Sequence, residues 1–176
     1  MNFKTLNLTQ GIRIVEFNIN HITKNYVDWL NDKEVVKFSE QRHKLHSLET
    51  CLDYYNSQKL TDNLFLAIEF VQKNSVEHLG NIIVYIDKYN QTADVSIMIG
   101  NKQFWGKGYG FIAWDGILTY LKDSPQIRLI TAGTMELNIP MLSLMRRSGM
   151  KIDAVIKNRF LFDSQCVGLV LASLTK

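Results

Sequence analysis

Between Gly100 and Gly110 the chain reads Gly-Asn-Lys-Gln-Phe-Trp-Gly-Lys-Gly-Tyr-Gly. The glycines at 106, 108 and 110 alternate with larger residues, so main-chain amides there can approach a ligand without a side chain in the way. The run stands between a predicted strand and a predicted helix. The first N–H groups of that helix have no partner within it, and its positive dipole end points at the same place. Such an arrangement suits a phosphate or pyrophosphate; a turn that needs only tight geometry would use the same glycines. Two other phosphate motifs fail by spelling. A Walker loop requires Ser or Thr after Gly-Lys, but Gly106-Lys107 is followed by Gly108. A dinucleotide fingerprint starting at Gly106 requires a small residue where Phe111 stands, and the strand before it belongs to a meander rather than a βαβ unit.

The elements that must position this loop follow from periodicity. Ile12, Ile14 and Val15 mark a first strand within Leu6–Phe17. Ile22, Tyr26, Trp29 and Leu30 form one face of a helix over His21–Leu30, and Lys33–Phe38 reads as a second short helix. Ser39–His46 is polar and reads as loop, after which Ser47 is a good N-cap for a helix through Tyr54 and Tyr55. Three strands in a meander come next, Asn63–Val71, His78–Ile86 and Ala93–Ile99, joined by the polar turns Gln72–Glu77 and Tyr89–Gln91. The glycine run leads into a helix over Phe111–Leu121, then a strand over Ile127–Thr134. A last helix, Asn138–Arg147, has Pro140 in its first turn and Gly149 at its end. Two closing strands, Met150–Phe162 and Cys166–Ser173, complete a mixed α/β order around a single sheet. Uniform strand–helix alternation is absent, which disfavours a doubly wound parallel sheet.

Composition narrows the function classes. The 176 residues suit one domain, 1–176, and no linker or repeat divides them. Twenty Lys and Arg against 17 Asp and Glu leave a charge of +3, with no basic run of the kind a duplex binder shows. No apolar stretch approaches a membrane span or a signal peptide, and Cys51 and Cys166 show no paired spacing. These features point to a reducing, cytoplasmic setting with no nucleic-acid and no membrane partner.

Trp105-Gly106-Lys107-Gly108-Tyr109-Gly110 resembles the acetyl-CoA pyrophosphate loop of the GNAT acyltransferases, usually Gln/Arg-x-x-Gly-x-Gly/Ala. Trp105 stands where Gln or Arg is usual, as in the branch similar to RimJ and RimL. Three further segments match in order: Trp29-Leu30-Asn31-Asp32-Lys33-Glu34-Val35, the helix from Asn138-Ile139-Pro140-Met141 to Gly149-Met150, and the closing hairpin Asp153–Leu171. The resemblance thus spans nearly the whole chain. It implies an α+β type sheet, mixed but mostly antiparallel, flanked by helices and splayed between the fourth and fifth strands. It implies an N-acetyltransferase that uses acetyl-CoA as co-substrate and no metal.

The resemblance also implies where each part binds. Main-chain groups near Ile97, Met98 and Ile99 would pair with the pantetheine amides, and one amide there would polarise the thioester carbonyl. The amides of Gly106 to Phe111 would hold the pyrophosphate, Lys107 would add charge beside it, and Asn138, Met141 and Met145 would line the CoA arm. Direct attack by a primary amine needs alignment and loss of a proton. The base candidates are Asp94, Glu40, His43 and Glu136. Many relatives place a Tyr acid where this chain has Met145, which cannot donate. His43 and His46 have His-x-x-His spacing, but without Cys partners or a Glu between them they read as loop residues rather than a metal pair. The polar segment Phe38–Ser47 falls on the acceptor side, where Arg42 and Lys44 would meet phosphates. The expected acceptor is a small-molecule amine, a nucleotide-linked amino sugar. A protein N-terminus and a non-catalytic acyl-CoA-binding module are the alternatives, and the expected assembly is a monomer or homodimer.

Overall fold

Asp32 decides the first departure from the sequence reading. Its carboxylate accepts from the N–H groups of Glu34 (2.9 Å) and Val35 (3.4 Å), a local bond that competes with helix. Residues 33–38 are therefore turns and not the predicted short helix. The computed structural model describes residues 3–73 and 75–176; Asn74, inside the predicted turn Gln72–Glu77, lies outside the described residues.

The predicted first strand is two strands. β1 (Leu6–Asn7) and β2 (Ile12–Glu16) pair antiparallel across a 3-10 turn at Thr9–Gly11, where Gln10 and Gly11 have φ of 55° and 75°. Helix α1 (Lys24–Asn31) starts at the Thr23 cap, whose hydroxyl accepts from Tyr26 N–H at 3.2 Å. The predicted loop at 39–46 contains a 3-10 turn, Glu40–His43. Helix α2 (Leu48–Gln58) begins as expected at Ser47, where a capping box with Thr50 satisfies N–H groups in both directions (3.2 and 2.9 Å). The meander holds as β3 (Leu64–Gln72), β4 (Ser75–Asp87) and β5 (Thr92–Ile99), all antiparallel. Helix α3 (Tyr109–Asp123) starts two residues earlier than predicted; β6 (Leu129–Met135), α4 (Ile139–Arg147), β7 (Lys151–Phe162) and β8 (Gln165–Thr175) follow. Asn138 caps α4 by accepting from Met141 N–H at 3.3 Å, and Gly149 (φ 79°) ends it, with Met150 N–H returning to the Met145 carbonyl at 3.0 Å.

The strands form one sheet in the order β1-β2-β3-β4-β5-β6-β8-β7. Alternation along each strand separates two faces. Leu66, Ile68, Ile82, Val84, Ala93 and Val95 point to one face and pack with Trp114, Ile117, Leu118 and Leu121 of α3 and Met141 and Met145 of α4. The other face carries a smaller cluster, where Ala67 and Phe17 meet Tyr26 and Leu30 of α1 and Cys51 of α2. Among the described residues β5 and β6 are the only parallel pair, and they pair at just three positions, from Thr92 with Leu129 to Asp94 with Thr131. Beyond Asp94 the two strands part. This opening, between the fourth and fifth strands when β1 and β2 are counted as the one predicted strand, is the splay that the resemblance implies.

Candidate active site

The gap between β5 and β6 opens into a cavity of about 1370 Å³ that continues onto both faces of the sheet. Its first half is built around the end of β5 and the glycine run. Ile97, Met98 and Ile99 border it, and so do Trp105, Gly106, Gly108, Gly110 and Phe111 of the glycine run. Gly106 and Gly108 have φ of 73° and 84°, a left-handed conformation that costs a side-chain-bearing residue about 1–2 kcal/mol. A Cβ on either would meet no atom within 4 Å and so would occupy open space at the cavity wall. Gly108 is the N-cap of α3 and has no side chain to satisfy the first N–H groups. A cradle with free donors, a dipole and room for an anion fits a pyrophosphate.

The structure does not place every predicted residue on this wall. Tyr109 turns away to pack against Phe70 and Phe104, with ring centroids at 5.3 and 5.8 Å. The Lys107 ammonium lies over the Phe104 ring at 5.4 Å, off the wall. Met145 is buried in the core. Asn138 and Met141 line the cavity, and Asn138 also donates to Thr134 Oγ1 at 2.9 Å, which fixes its amide across from the splay. The Trp105 indole N–H donates to the Ile99 carbonyl at 2.7 Å, so that carbonyl already has a donor. One residue was missed: the Arg147 guanidinium stacks on Phe111 at 3.8 Å, lines the cavity, and has no carboxylate partner among the described residues. Its signal was position, one turn beyond Ser143 on the cavity-facing side of the last helix.

The second half is made of side chains. Asn81, Ile83 and Tyr85 of β4 lie opposite Met98, Ser96 and Asp94 of β5, all on the α1–α2 face. Tyr26, Leu30, Cys51 and Tyr54 cover this floor, and the segment from Glu34 to His46 closes the side. Tyr54 hydrogen-bonds Tyr85, and burial first, then that bond, raises its hydroxyl pKa well above the usual value. The Asn81 Oδ1 and His46 Nε2 atoms are buried and have no hydrogen-bond partner.

The predicted acid–base and substrate residues divide. Asp94 sits at the last paired position before the splay, off the cavity wall. It accepts from Thr131 Oγ1 at 2.7 Å, and desolvation raises its carboxyl pKa against that bond. Glu40 lines the cavity but is paired with Arg42 at 2.8 Å and faces His43 at 3.9 Å. Arg42 also donates to the Ser39 carbonyl at 2.9 Å and does not reach the wall; His43 is exposed and also off it. Lys44 lines the cavity. Glu136 accepts from Gly168 N–H at 2.7 Å, away from the cavity. Among the described residues no group of three or more His, Cys, Asp or Glu comes together as a metal site, and no helix is long and apolar enough to cross a membrane.

The acetyltransferase (GNAT) domain family matches residues 12–151, so the chain belongs to the GNAT acetyltransferases, enzymes that use acetyl-CoA to acetylate amines. No curated protein matches the sequence. Solved structures with the same fold include RimL, a ribosomal L7/L12 alpha-N-protein acetyltransferase in complex with coenzyme A (TM-score 0.84, 12% identity, covering 98% of each chain). Spermidine N-acetyltransferase from Vibrio cholerae, in complex with CoA and spermine, is similar (TM-score 0.82, 14% identity, 94% of this chain and 95% of that one). So is the microcin C7 self-immunity acetyltransferase MccE in complex with acetyl-CoA and AMP (TM-score 0.80, 15% identity, 96% and 94%). At these identities the likeness is one of fold.

Proposed function

We propose that this enzyme acetylates the amino group of a small polyhydroxylated amine, an amino sugar carried on a nucleotide. The observation that carries this reading is the lining of the second half-cavity. Its polar groups are mostly neutral: Asn81, Ser96, Tyr54, Tyr85, Thr50 and Gln41 present hydroxyls and amides, the groups that recognise sugar hydroxyls. A polyamine would call for free carboxylates, yet both cavity glutamates are engaged, Glu34 with Lys102 at 3.0 Å and Glu40 with Arg42 at 2.8 Å. Lys37 and Lys44 remain on the wall for a diphosphate, and MccE, which shares this fold, binds AMP together with acetyl-CoA.

The residues fit acetyl-CoA, which supplies an acyl group on a stable thiolate leaving group. The free amides between Gly106 and Gly110 would hold the pyrophosphate, since the Phe111 N–H is donated to the Gly108 carbonyl at 3.0 Å, and Arg147 would contribute a cation in place of the off-wall Lys107. Unpaired groups of β5 beyond Asp94 hold the arm and offer an N–H to the carbonyl oxygen as charge develops there. The chamber over Asn81 and Ser96 holds the amine in line, a proximity effect. Met145 donates no proton, so the thiolate is protonated from solvent. Both cysteines are free thiols, which favours a reducing compartment such as the cytoplasm.

The test is a thiol-release assay with acetyl-CoA against nucleotide-linked amino sugars, free amino sugars, polyamines and peptides bearing free N-termini. Turnover with the nucleotide-linked sugars at least tenfold above the other classes is expected. Preference for peptides or polyamines removes the amino-sugar reading, and CoA binding without turnover on any amine removes the enzymatic one.

A further inference from the structure

β5 and β6 part after Asp94 and Thr131, and carrying their parallel register on by three residues sets Thr134 across the opening from Ile97. Both side chains belong to the α3–α4 face: Thr134 alternates in step with Ala132, Ile97 with Val95, and Ala132 and Val95 lie in that core. Thr134 is 7% exposed and lines the cavity. Asn138 sets the state of its hydroxyl. The Asn138 amide, capping α4, faces the Met141 N–H at 3.3 Å on one side and Thr134 Oγ1 at 2.9 Å on the other. A main-chain N–H can only donate, so the amide oxygen is turned to Met141 and the amide nitrogen to Thr134. That nitrogen also can only donate, so Thr134 Oγ1 accepts, and its own proton points away from Asn138. No group among the described residues accepts that proton. A hydroxyl proton without an acceptor is costly at a buried site, and this one stands where two strands open around a ligand.

We infer that Thr134 is a catalytic residue of the acetyl transfer: its hydroxyl donates to the CoA sulfur and holds the negative charge that forms there as the thioester breaks. The inference rests on the acetyl-CoA-dependent transfer above and is independent of which amine accepts. A thioester whose carbonyl oxygen meets an N–H of β5 near Ile97 lies in the wedge, and its sulfur then has β6 on the other side, at the level of Thr134. The step balances without an acid from the protein. The amine attacks uncharged, its lone pair forms the C–N bond, and the C–S bond breaks with its electron pair left on sulfur. The nitrogen sheds one proton to solvent, and solvent returns one to the thiolate. Thr134 keeps its proton throughout. A hydroxyl is too weak an acid to give a proton to a thiolate, but a hydrogen bond to a charged atom is among the stronger ones. Met145 offers the sulfur no donor, and the Arg147 guanidinium is held on Phe111 at the start of α3, so the charge is met from β6 instead.

The experiment compares wild type with Thr134→Val, which keeps the shape and loses the hydroxyl, with Thr134→Ser, which keeps the hydroxyl, and with Thr134→Cys. CoA binding is measured by calorimetry, acetyl transfer by its single-turnover rate, and ionisation of the bound CoA thiol by titrating its thiolate absorbance against pH. In Thr134→Val the rate should fall about tenfold or more and the bound thiol should ionise about tenfold less readily, with CoA affinity within about threefold of wild type. Thr134→Ser should return both to within about threefold of wild type. Thr134→Cys, incubated with CoA disulfide, should form a mixed disulfide with CoA at residue 134, read by intact mass and peptide mapping and released by reductant. A Thr134→Val protein whose bound thiol ionises as in wild type, or a loss that Thr134→Ser shares, overturns the role and leaves the acetyltransferase reading intact. A Thr134→Cys protein that binds CoA and forms no mixed disulfide at residue 134 overturns the placement of the sulfur, whatever the activity. A wild type that binds CoA and acetylates no amine overturns the enzymatic reading and the catalytic role with it.

Discussion

On the α3 side of the splayed sheet the cavity wall is built around main chain, with glycines in left-handed conformations, the open edge of β5 and the first N–H groups of a helix, and with Asn138, Met141 and Arg147 beside them. On the α1–α2 side it is side chain: Asn81, Ser96, Tyr54, Tyr85 and His46, contributed by two strands, a helix and the loop before that helix. The first half needs few specific side chains because every peptide group carries the donor that an anion requires. The second must select one amine among many, and selection requires donors and acceptors at particular places. The CoA half is thus defined by where side chains are missing, and the acceptor half by which ones are present.

Substitutions that add a side chain to the first half should therefore do the most harm. Gly108→Asp combines a left-handed backbone with a negative charge at the anion cradle, and CoA affinity should fall by about 100-fold or more in calorimetry while the circular dichroism spectrum stays native. Unchanged affinity would mean that the cradle is not the phosphate site.

Acid should separate the halves in the opposite sense. His78 lies under α1 in the acceptor half, ringed by Phe17, His21, Tyr26 and Trp29; its Nε2–H donates to the Gly80 carbonyl at 2.9 Å and its Nδ1 has no partner. Burial, with His21 adding to it, lowers its pKa from 6.5 to about 4, against the pull of nearby Glu69. Between those values the unfolded chain binds a proton that the folded chain refuses. The stabilising contribution is complete above pH 6.5 and is lost on descending to about pH 4, by roughly 3 kcal/mol. Urea melts at pH 7 and pH 5 measure this, and His78→Phe should flatten the difference. The acceptor KM should rise in the same window before CoA affinity does.

Asn31→Ala removes both bonds to the main chain of His46. The expected effect is a rise of about tenfold in acceptor KM in steady-state kinetics, from a loosened segment on the acceptor side, with CoA affinity intact. Lys107→Ala, off the wall despite its place in the motif, should change CoA affinity by less than about threefold, mostly at low salt.

The same contrast explains what could be read in the chain. The glycine run, the Ser47 and Asn138 caps and the meander are local events: each is decided by residues within a few positions, and each was legible. The turn at 33–38 was missed because a helical pattern of Val35, Val36 and Phe38 lost to the Asp32 carboxylate, a competition that periodicity does not weigh. The residues expected on the acceptor side are placed by a different kind of contact. Arg42, Glu40 and His43 have the right chemistry, but they spend it on one another and on Ser39. His46 lines the cavity and His43 does not, and Asn31, 15 residues away in the chain, holds the main chain at His46.

The parting of β5 from β6 has a consequence for solubility. Unpaired strand edges invite strands from other molecules, and a sheet with a gap in its middle has two more of them than an unbroken one. The outer edge, β7, is guarded by charge, with Lys151, Asp153, Lys157 and Arg159 spaced along it. The inner edges carry no such guard. They face each other across the wedge, and an intruding strand with its side chains would have to thread between the start of α3 and α4 to reach them. The fold thus keeps its stickiest main chain where a slender arm can pass and another polypeptide cannot.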